Sequence, residues 1–205
     1  MNIWHSAWSW LNGREPVPSI LRNGRRHLGD FYDASREVGI RPFLMWGTLL
    51  GCVRENGLLP HDHDLDVGLA PSDYRHKDEL IAAMRRRGYR LALDWRYKLR
   101  FMRRWHWTWI DVDVFYPWQG KTICSTLRED GRVTGEAFPL GTFDRLREIE
   151  FLDGLQVLIP DPPEAVLEAV YGEWRIPDPS YHSATGPLTH FVIEPGGEMP
   201  AIEGI

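Results

Sequence analysis

A chain of 205 residues, 43% of them hydrophobic, is long enough for one domain with a sizeable core. Its formal net charge of −5 argues against a general nucleic-acid binder, and two cysteines, Cys52 and Cys124, supply neither a disulfide framework nor a cysteine-based zinc site. No apolar run approaches the ~20 residues that span a bilayer, and residues 1–10 lack the basic start and apolar centre of a secretory signal. The expectation is a protein of a reducing, cytoplasmic compartment. Trp4, Trp8 and Trp10 are expected either to pack on the domain or to touch a membrane or a partner enzyme.

In chain order, Ile20, Leu28, Phe31, Ser35 and Val38 recur at helical spacing and predict a helix over 19–38 ended by Gly39. Residues 40–46 read as a buried strand, and Gly47-Thr48-Leu49-Leu50-Gly51-Cys52-Val53-Arg54 as a turn into a short helix. Residues 62–69 follow as a strand. Ser72 is the expected N-cap of a helix reaching Gly88, with Tyr74, Ile81 and Met84 inward. Residues 89–94, 98–103 and 107–116 form a predicted meander. Residues 117–142 carry Gly120, Gly131, Gly135 and Gly141 with little periodicity and read as irregular loops with short strands. Asp153-Gly154 predicts a type I′ turn joining strands over 148–152 and 155–159. Asp161 as N-cap, Pro162 at N1 and Glu164 at N3 then open a helix closed by Gly172. Residues 178–205 are expected to wrap as an extended tail on a single domain with its core over 19–177.

The chemistry concentrates in His61-Asp62-His63-Asp64-Leu65-Asp66-Val67. A strand has a side-chain period of two, so Asp62, Asp64 and Asp66 share one face and Leu65, Val67 and Leu69 the other. Crowded carboxylates repel one another unless a cation compensates, which suits a divalent metal. Asp111 and Asp113 repeat the pattern on a later strand. Mg²⁺ fits an all-oxygen set, as one ion or as two ~3.5–4 Å apart, with Mn²⁺ able to substitute. Asp64 and Asp66 lead as ligands. Asp113 is a ligand or a general base, and Asp62 either a ligand or a turn cap. Asp111 divides evenly between the site and solvent.

Gly47-Thr48 before a helix can approach a phosphate. Arg54 is placed to reach a phosphate, hold Asp62 or form a surface ion pair. Lys98 and Arg100 alternate along a strand and face a donor's pyrophosphate or solvent. Arg85-Arg86-Arg87 reads as a solvated basic face, and His61 and His63, though of metal-ligand type, as packing residues or as supports behind the metal ligands, His63 alternating away from the aspartate face. Trp95, Tyr97, Trp105, Trp107 and Trp109 stack a base, cage a cation or fill the core.

The run from Met45 to Asp66, with Gly47-Thr48-Leu49-Leu50-Gly51, Arg54 and Pro60-His61-Asp62-His63-Asp64-Leu65-Asp66, closely resembles the LicD/fukutin family. Asp111-Val112-Asp113-Val114-Phe115-Tyr116-Pro117, the 151–160 hairpin and Tyr171-Gly172-Glu173-Trp174 extend the resemblance over roughly residues 30–177. His61 stands where that family usually has tryptophan, and the cysteine cluster of some fukutin-related members is lacking. The resemblance implies an α+β nucleotidyltransferase-like mixed sheet with flanking helices and a C-terminal hairpin-helix addition. It also implies Mg²⁺-dependent transfer of a phosphorylated group, of the phosphocholine or alditol phosphate type, from a CDP-linked donor to a glycan or lipid-linked glycan hydroxyl, releasing CMP. The rival readings are nucleotidyl transfer from a nucleoside triphosphate, hydrolysis of the donor with water as acceptor, and a non-catalytic nucleotide-binding module.

Overall fold

The computed structural model describes residues 18–128, 130–178, 181, 187–198 and 200–202; the tryptophans at 4, 8 and 10 lie outside them. Helix α1 (Ser19–Glu37) forms where expected and buries Ile20, Leu28, Phe31 and Ala34. The strand expected over 40–46 shrinks to β1 (Phe43–Leu44), because Trp46 already begins α2 (Trp46–Leu50). A π-helical stretch over Gly51–Glu55 continues α2 and stops at Asn56, whose left-handed backbone ends it.

Strand β2 (Asp64–Leu69) begins two residues later than expected, so Asp62 precedes it. The long helix expected up to Gly88 is two pieces, α3 (Pro71–Tyr74) and α4 (Lys77–Arg86). Ser72 is not its cap: Pro71 starts α3, with Ala70 in extended conformation before it. Tyr74, Ile81 and Met84 face inward as predicted.

Strands β3 (Tyr89–Trp95), β4 (Lys98–Arg103) and β5 (Trp109–Val114) form the meander. After β6 (Tyr116–Trp118), the region read as irregular instead holds two seven-residue strands, β7 (Lys121–Leu127) and β8 (Val133–Pro139). Strands β9 (Leu146–Phe151) and β10 (Leu155–Pro160) form the predicted hairpin, but Phe151 pairs with Leu155, so the loop has three residues, Leu152-Asp153-Gly154, all with positive φ. Helix α5 spans Pro163–Tyr171 and starts one residue late: Asp161 accepts from Arg145 Nη2 at 2.9 Å instead of capping. The tail is not merely extended, since β11 (Thr189–Ile193) pairs antiparallel with β8.

Seven strands build a mixed sheet in the order β3-β4-β5-β2-β1-β10-β9, and β11-β8-β7-β6 build a second sheet. The C-terminal hairpin extends the first sheet, β10 lying parallel to β1. The parallel pair β2–β5 occupies the centre. One face of that pair presents Leu65, Val67, Leu69, Ile110, Val112 and Val114, all at 0% exposure. Phe31 of α1 meets Phe101 of β4 with ring centres 6.2 Å apart. Burying these side chains stabilises the fold by roughly 1.5–3 kcal/mol each, and it leaves the opposite face of β2 and β5 to the aspartates.

Candidate active site

The period of two along β2 turns Leu65 and Val67 into the core and Asp64 and Asp66 out of it. The parallel register then sets Asp66 beside Asp111 and Gly68 beside Asp113. Carboxylate oxygens of Asp64, Asp66 and Asp111 consequently lie within 4.8 Å of one another. Asp111 therefore completes the acidic triad, a position the sequence left undecided. Asp113 sits one step further along, where its Oδ1 accepts from Lys98 Nζ at 2.9 Å and its Oδ2 from Trp46 Nε1 at 3.0 Å. Trp46 holds a left-handed φ of 46°, uncommon for a bulky residue, to aim that indole. Asp62 and Asp113, both expected as metal ligands, line the same cleft outside the triad.

The electrostatics follow from burial. Asp66 is 9% exposed, and burial, followed by the charges of Asp64 and Asp111, pushes its carboxyl well above the usual range. Burial and the Asp111 charge raise Asp64, opposed by Arg100 and Lys98. Burial and then Asp64 raise Asp62. Burial alone would lower the Lys98 ammonium; the charges of Asp113 and Asp111 outweigh it and hold the group above its ordinary value. Arg100 grips Asp111 with two bonds of 2.6 Å, stacks 4.8 Å over the Trp109 ring, and is raised chiefly by that grip. Both basic residues thus neutralise carboxylates at the cleft, rather than lying on a solvated strand face.

Gly47 and Thr48 also act on the aspartates. A Cβ at Gly47 would lie 2.2 Å from Asp62 Oδ2, so only glycine admits that carboxylate against α2. Thr48 Oγ1 accepts the backbone N–H of Asp66 at 2.8 Å in a buried bond, tying α2 to β2 at the triad. Arg54 Nη1 donates to the Trp174 carbonyl at 3.0 Å and its Nε to Glu55 at 2.7 Å, so its protein partners are these and not Asp62. The aromatic group divides. Tyr97 is buried and Trp95 lines the cleft, whereas Trp105 and Trp107 are 84% and 74% exposed.

The cleft measures about 550 Å³, and its far wall comes from the second sheet and the C-terminal segment, through Thr126, Arg128, Glu136, Tyr171, Tyr181 and His190. Of these, only Tyr171 was singled out in the sequence, through Tyr171-Gly172-Glu173-Trp174, and none was assigned to the site. Glu136 is the informative one: burial raises its carboxyl, the Cys124 thiol pulls the other way by donating to it at 3.3 Å, and His190 Nδ1 lies 3.7 Å away. A lone acid between apolar positions of β8 would have flagged it, had β8 been recognised as a strand.

Three clustered carboxylates, two of them nearly buried and, among the described residues, only Asp111 with an ion-pair partner of its own, fit a hard divalent ion such as Mg²⁺. The sheet order and this acidic cleft define a domain of the nucleotidyltransferase fold. In solution the antibiotic-resistance factor ANT(2″)-Ia has a similar fold, with a TM-score of 0.50 at 14% identity over 79% of this chain and 78% of that one. Residues 39–161 match the family described as LicD/FKTN/FKRP, nucleotidyltransferase domain, and the chain belongs to that family. An uncharacterized protein of Rickettsia prowazekii is 24% identical over 84% of this chain and 65% of its own length. The ribitol-5-phosphate transferase FKTN of Mus musculus is 28% identical over 82% of this chain and 36% of its own length. The chain therefore spans just under two thirds of the first relative and about a third of the second.

Proposed function

We propose that the domain transfers a phosphorylated group of the alditol phosphate or phosphocholine type from a CDP-activated donor to a glycan hydroxyl, releasing CMP. The observation that carries the reading is the triad itself: three carboxylates from two parallel strands, converging within 4.8 Å at the floor of a cleft large enough for a nucleotide portion. Asp64, Asp66 and Asp111 would hold Mg²⁺ or Mn²⁺, which when bound supplies charge neutralisation for donor phosphates. Family membership and the similarity to FKTN support the substrate class.

The remaining roles belong to the chain's own groups. Asp113 has both oxygens engaged, so it anchors Lys98 and Trp46 at the cleft. Glu136, raised by burial and, among the described residues, hydrogen-bonded to the weak Cys124 thiol donor, is the better proton acceptor. In this reading it takes the acceptor hydroxyl's proton as that oxygen bonds to phosphorus and the bond to the CMP oxygen breaks. Tyr171, Tyr181 and Trp95 offer faces on which a base or sugar can rest.

The test is turnover of CDP-ribitol, CDP-glycerol and CDP-choline against nucleoside triphosphates, each with Mg²⁺ and a glycan acceptor. CMP release that requires the acceptor is the expected result. Pyrophosphate release from a triphosphate would replace this reading with nucleotidyl transfer, and acceptor-independent CMP release would replace it with hydrolysis. A ligand that binds only the native state also raises Tm, so a shift with one donor class identifies the donor without a known acceptor.

A further inference from the structure

The loop between β4 and β5 carries the two most exposed large apolar side chains among the described residues, Trp105 at 84% and Trp107 at 74%. Their exposure is built in. The intervening His106 turns inward, its Nδ1 2.7 Å from Nε2 of the fully buried His27 on α1, and Thr108 Oγ1 donates to Ser19 Oγ at 2.9 Å. Residues 106 and 108 thus pin the loop to α1, and alternation throws 105 and 107 outward. Trp105 also sits at φ 66°, a left-handed position where glycine or asparagine is far easier. Two neighbouring tryptophans facing water cost solubility, and such a patch marks an interaction surface.

The surrounding charge says which kind. The two segments that meet here are residues 19–30 of α1 and residues 103–108, joined through His27–His106 and Ser19–Thr108. The first carries Arg22, Arg25 and Arg26 and the second Arg103 and Arg104, against one acid, Asp30. This strongly cationic region belongs to a chain whose net charge is −5. Arg104 lies 4.9 Å over the Trp105 ring. Asp30 is the acid that touches the patch, 3.7 Å from Arg26 and 3.4 Å from Arg103. Tryptophans with arginines beside them match the boundary of an anionic lipid surface: indoles prefer the headgroup level, and arginines meet the phosphates above it. The geometry points to the β4–β5 loop as a docking site for an anionic membrane surface.

The placement has a use. Trp107 is four residues from Asp111, so the loop tip lies within roughly 14 Å of chain from the acidic triad. Docking through Trp105 and Trp107 would hold the cleft beside the lipid, within reach of an acceptor carried there. The inference stands on the patch alone and holds whatever reaction the cleft performs, so its failure is separable from failure of the proposed transfer.

The test is co-sedimentation with vesicles of phosphatidylcholine alone and of phosphatidylcholine mixed with phosphatidylglycerol, read alongside intrinsic tryptophan fluorescence. Binding is expected to anionic vesicles only, with a blue shift on binding and weakening as salt is raised. The double variant Trp105→Ser/Trp107→Ser should lose at least about tenfold in affinity with an unchanged Tm, and Arg104→Glu should weaken binding without altering fold. Absence of binding to anionic vesicles overturns the proposal. So does undiminished binding of the double variant, or loss of all binding in Trp4→Ser/Trp8→Ser/Trp10→Ser with Trp105 and Trp107 intact. A wild-type dimer that the double variant converts to monomer, with no vesicle binding by either, overturns it in favour of self-association.

Discussion

Asp66 shows how a single residue can serve function at the expense of stability. Its carboxylate is nearly buried, faces Asp64 and Asp111, and has no basic partner at hydrogen-bond distance among the described residues. Asp66→Asn should therefore abolish turnover and Mg²⁺-induced stabilisation while raising the stability of the metal-free protein by about 1 kcal/mol. Denaturation with and without Mg²⁺ checks both signs. Asp111→Asn should behave oppositely in the absence of metal, because it releases Arg100 from its two-bond grip. Thr48 offers a sharper contrast. Thr48→Val strands the buried Asp66 N–H and should cost about 1–3 kcal/mol, whereas Thr48→Ser keeps the acceptor and should cost less. Glu136→Gln should lower kcat by about 10²–10⁴-fold and leave Mg²⁺ affinity unchanged.

A further residue reports through pH. Burial, then the charges of His106 and the nearby arginines, lowers His27 from 6.5 to about 4. As pH falls, the unfolded chain takes up this proton first. The native state's advantage is thus complete above pH 6.5 and is lost as pH drops from 6.5 towards 4. Urea unfolding at stepped pH should show wild type losing stability faster across that window than His27→Leu.

At the scale of elements, the parts written as strong periodic signals were legible. Helix α1 and strands β3 and β4 could be read because each buries one regular face, the aspartate strand because its carboxylates alternate with apolar residues, and the hairpin because Asp153-Gly154 marks its turn. The second sheet could not. On β7, Thr122, Ile123, Cys124 and Ser125 are all buried, so the alternation that announces a strand is missing. On β8, Gly135 reads as a loop residue, yet it is a close-approach glycine: a Cβ there would fall 2.2 Å from the Cys124 carbonyl oxygen. Gly68 on β2 belongs to the same class, with the Phe43 ring 2.3 Å and the Phe115 ring 2.9 Å from its missing Cβ. Gly68→Ala should force those rings aside and cost about 1–3 kcal/mol, measured by chemical denaturation.

Within the site, the face shared by Asp64 and Asp66 was readable from period two, but the choice between Asp111 and Asp113 was not. Parallel register decides it, and register between distant strands leaves no mark in either strand's own sequence. For the same reason Lys98 and Arg100 looked free: their partners Asp113 and Asp111 lie directly opposite across β4–β5.

Across the whole molecule, the cleft is a joint product of two sheets and the chain's last described segment. Leu188 and His190 line it, β11 covers the edge of β8, and the Ile202 N–H donates to the buried Tyr97 hydroxyl at 3.1 Å. Ending the chain after residue 178 should lower Tm by about 5–10 °C, as read by calorimetry, and open the far wall of the cleft. The exposed β8 edge should also promote association at higher protein concentration.

The parallel pairing of β2 with β5 has a consequence for how the protein comes together. Parallel neighbours need a crossover, and here α3, α4, β3 and β4 all intervene between Asp66 and Asp111. No contiguous fragment shorter than this crossover can assemble all three carboxylates. A nascent or partly opened chain would present its aspartates singly or in pairs, with little hold on a divalent ion. Cation capture would then be a late event in folding, and a cation retained at the triad would testify that the central sheet is closed.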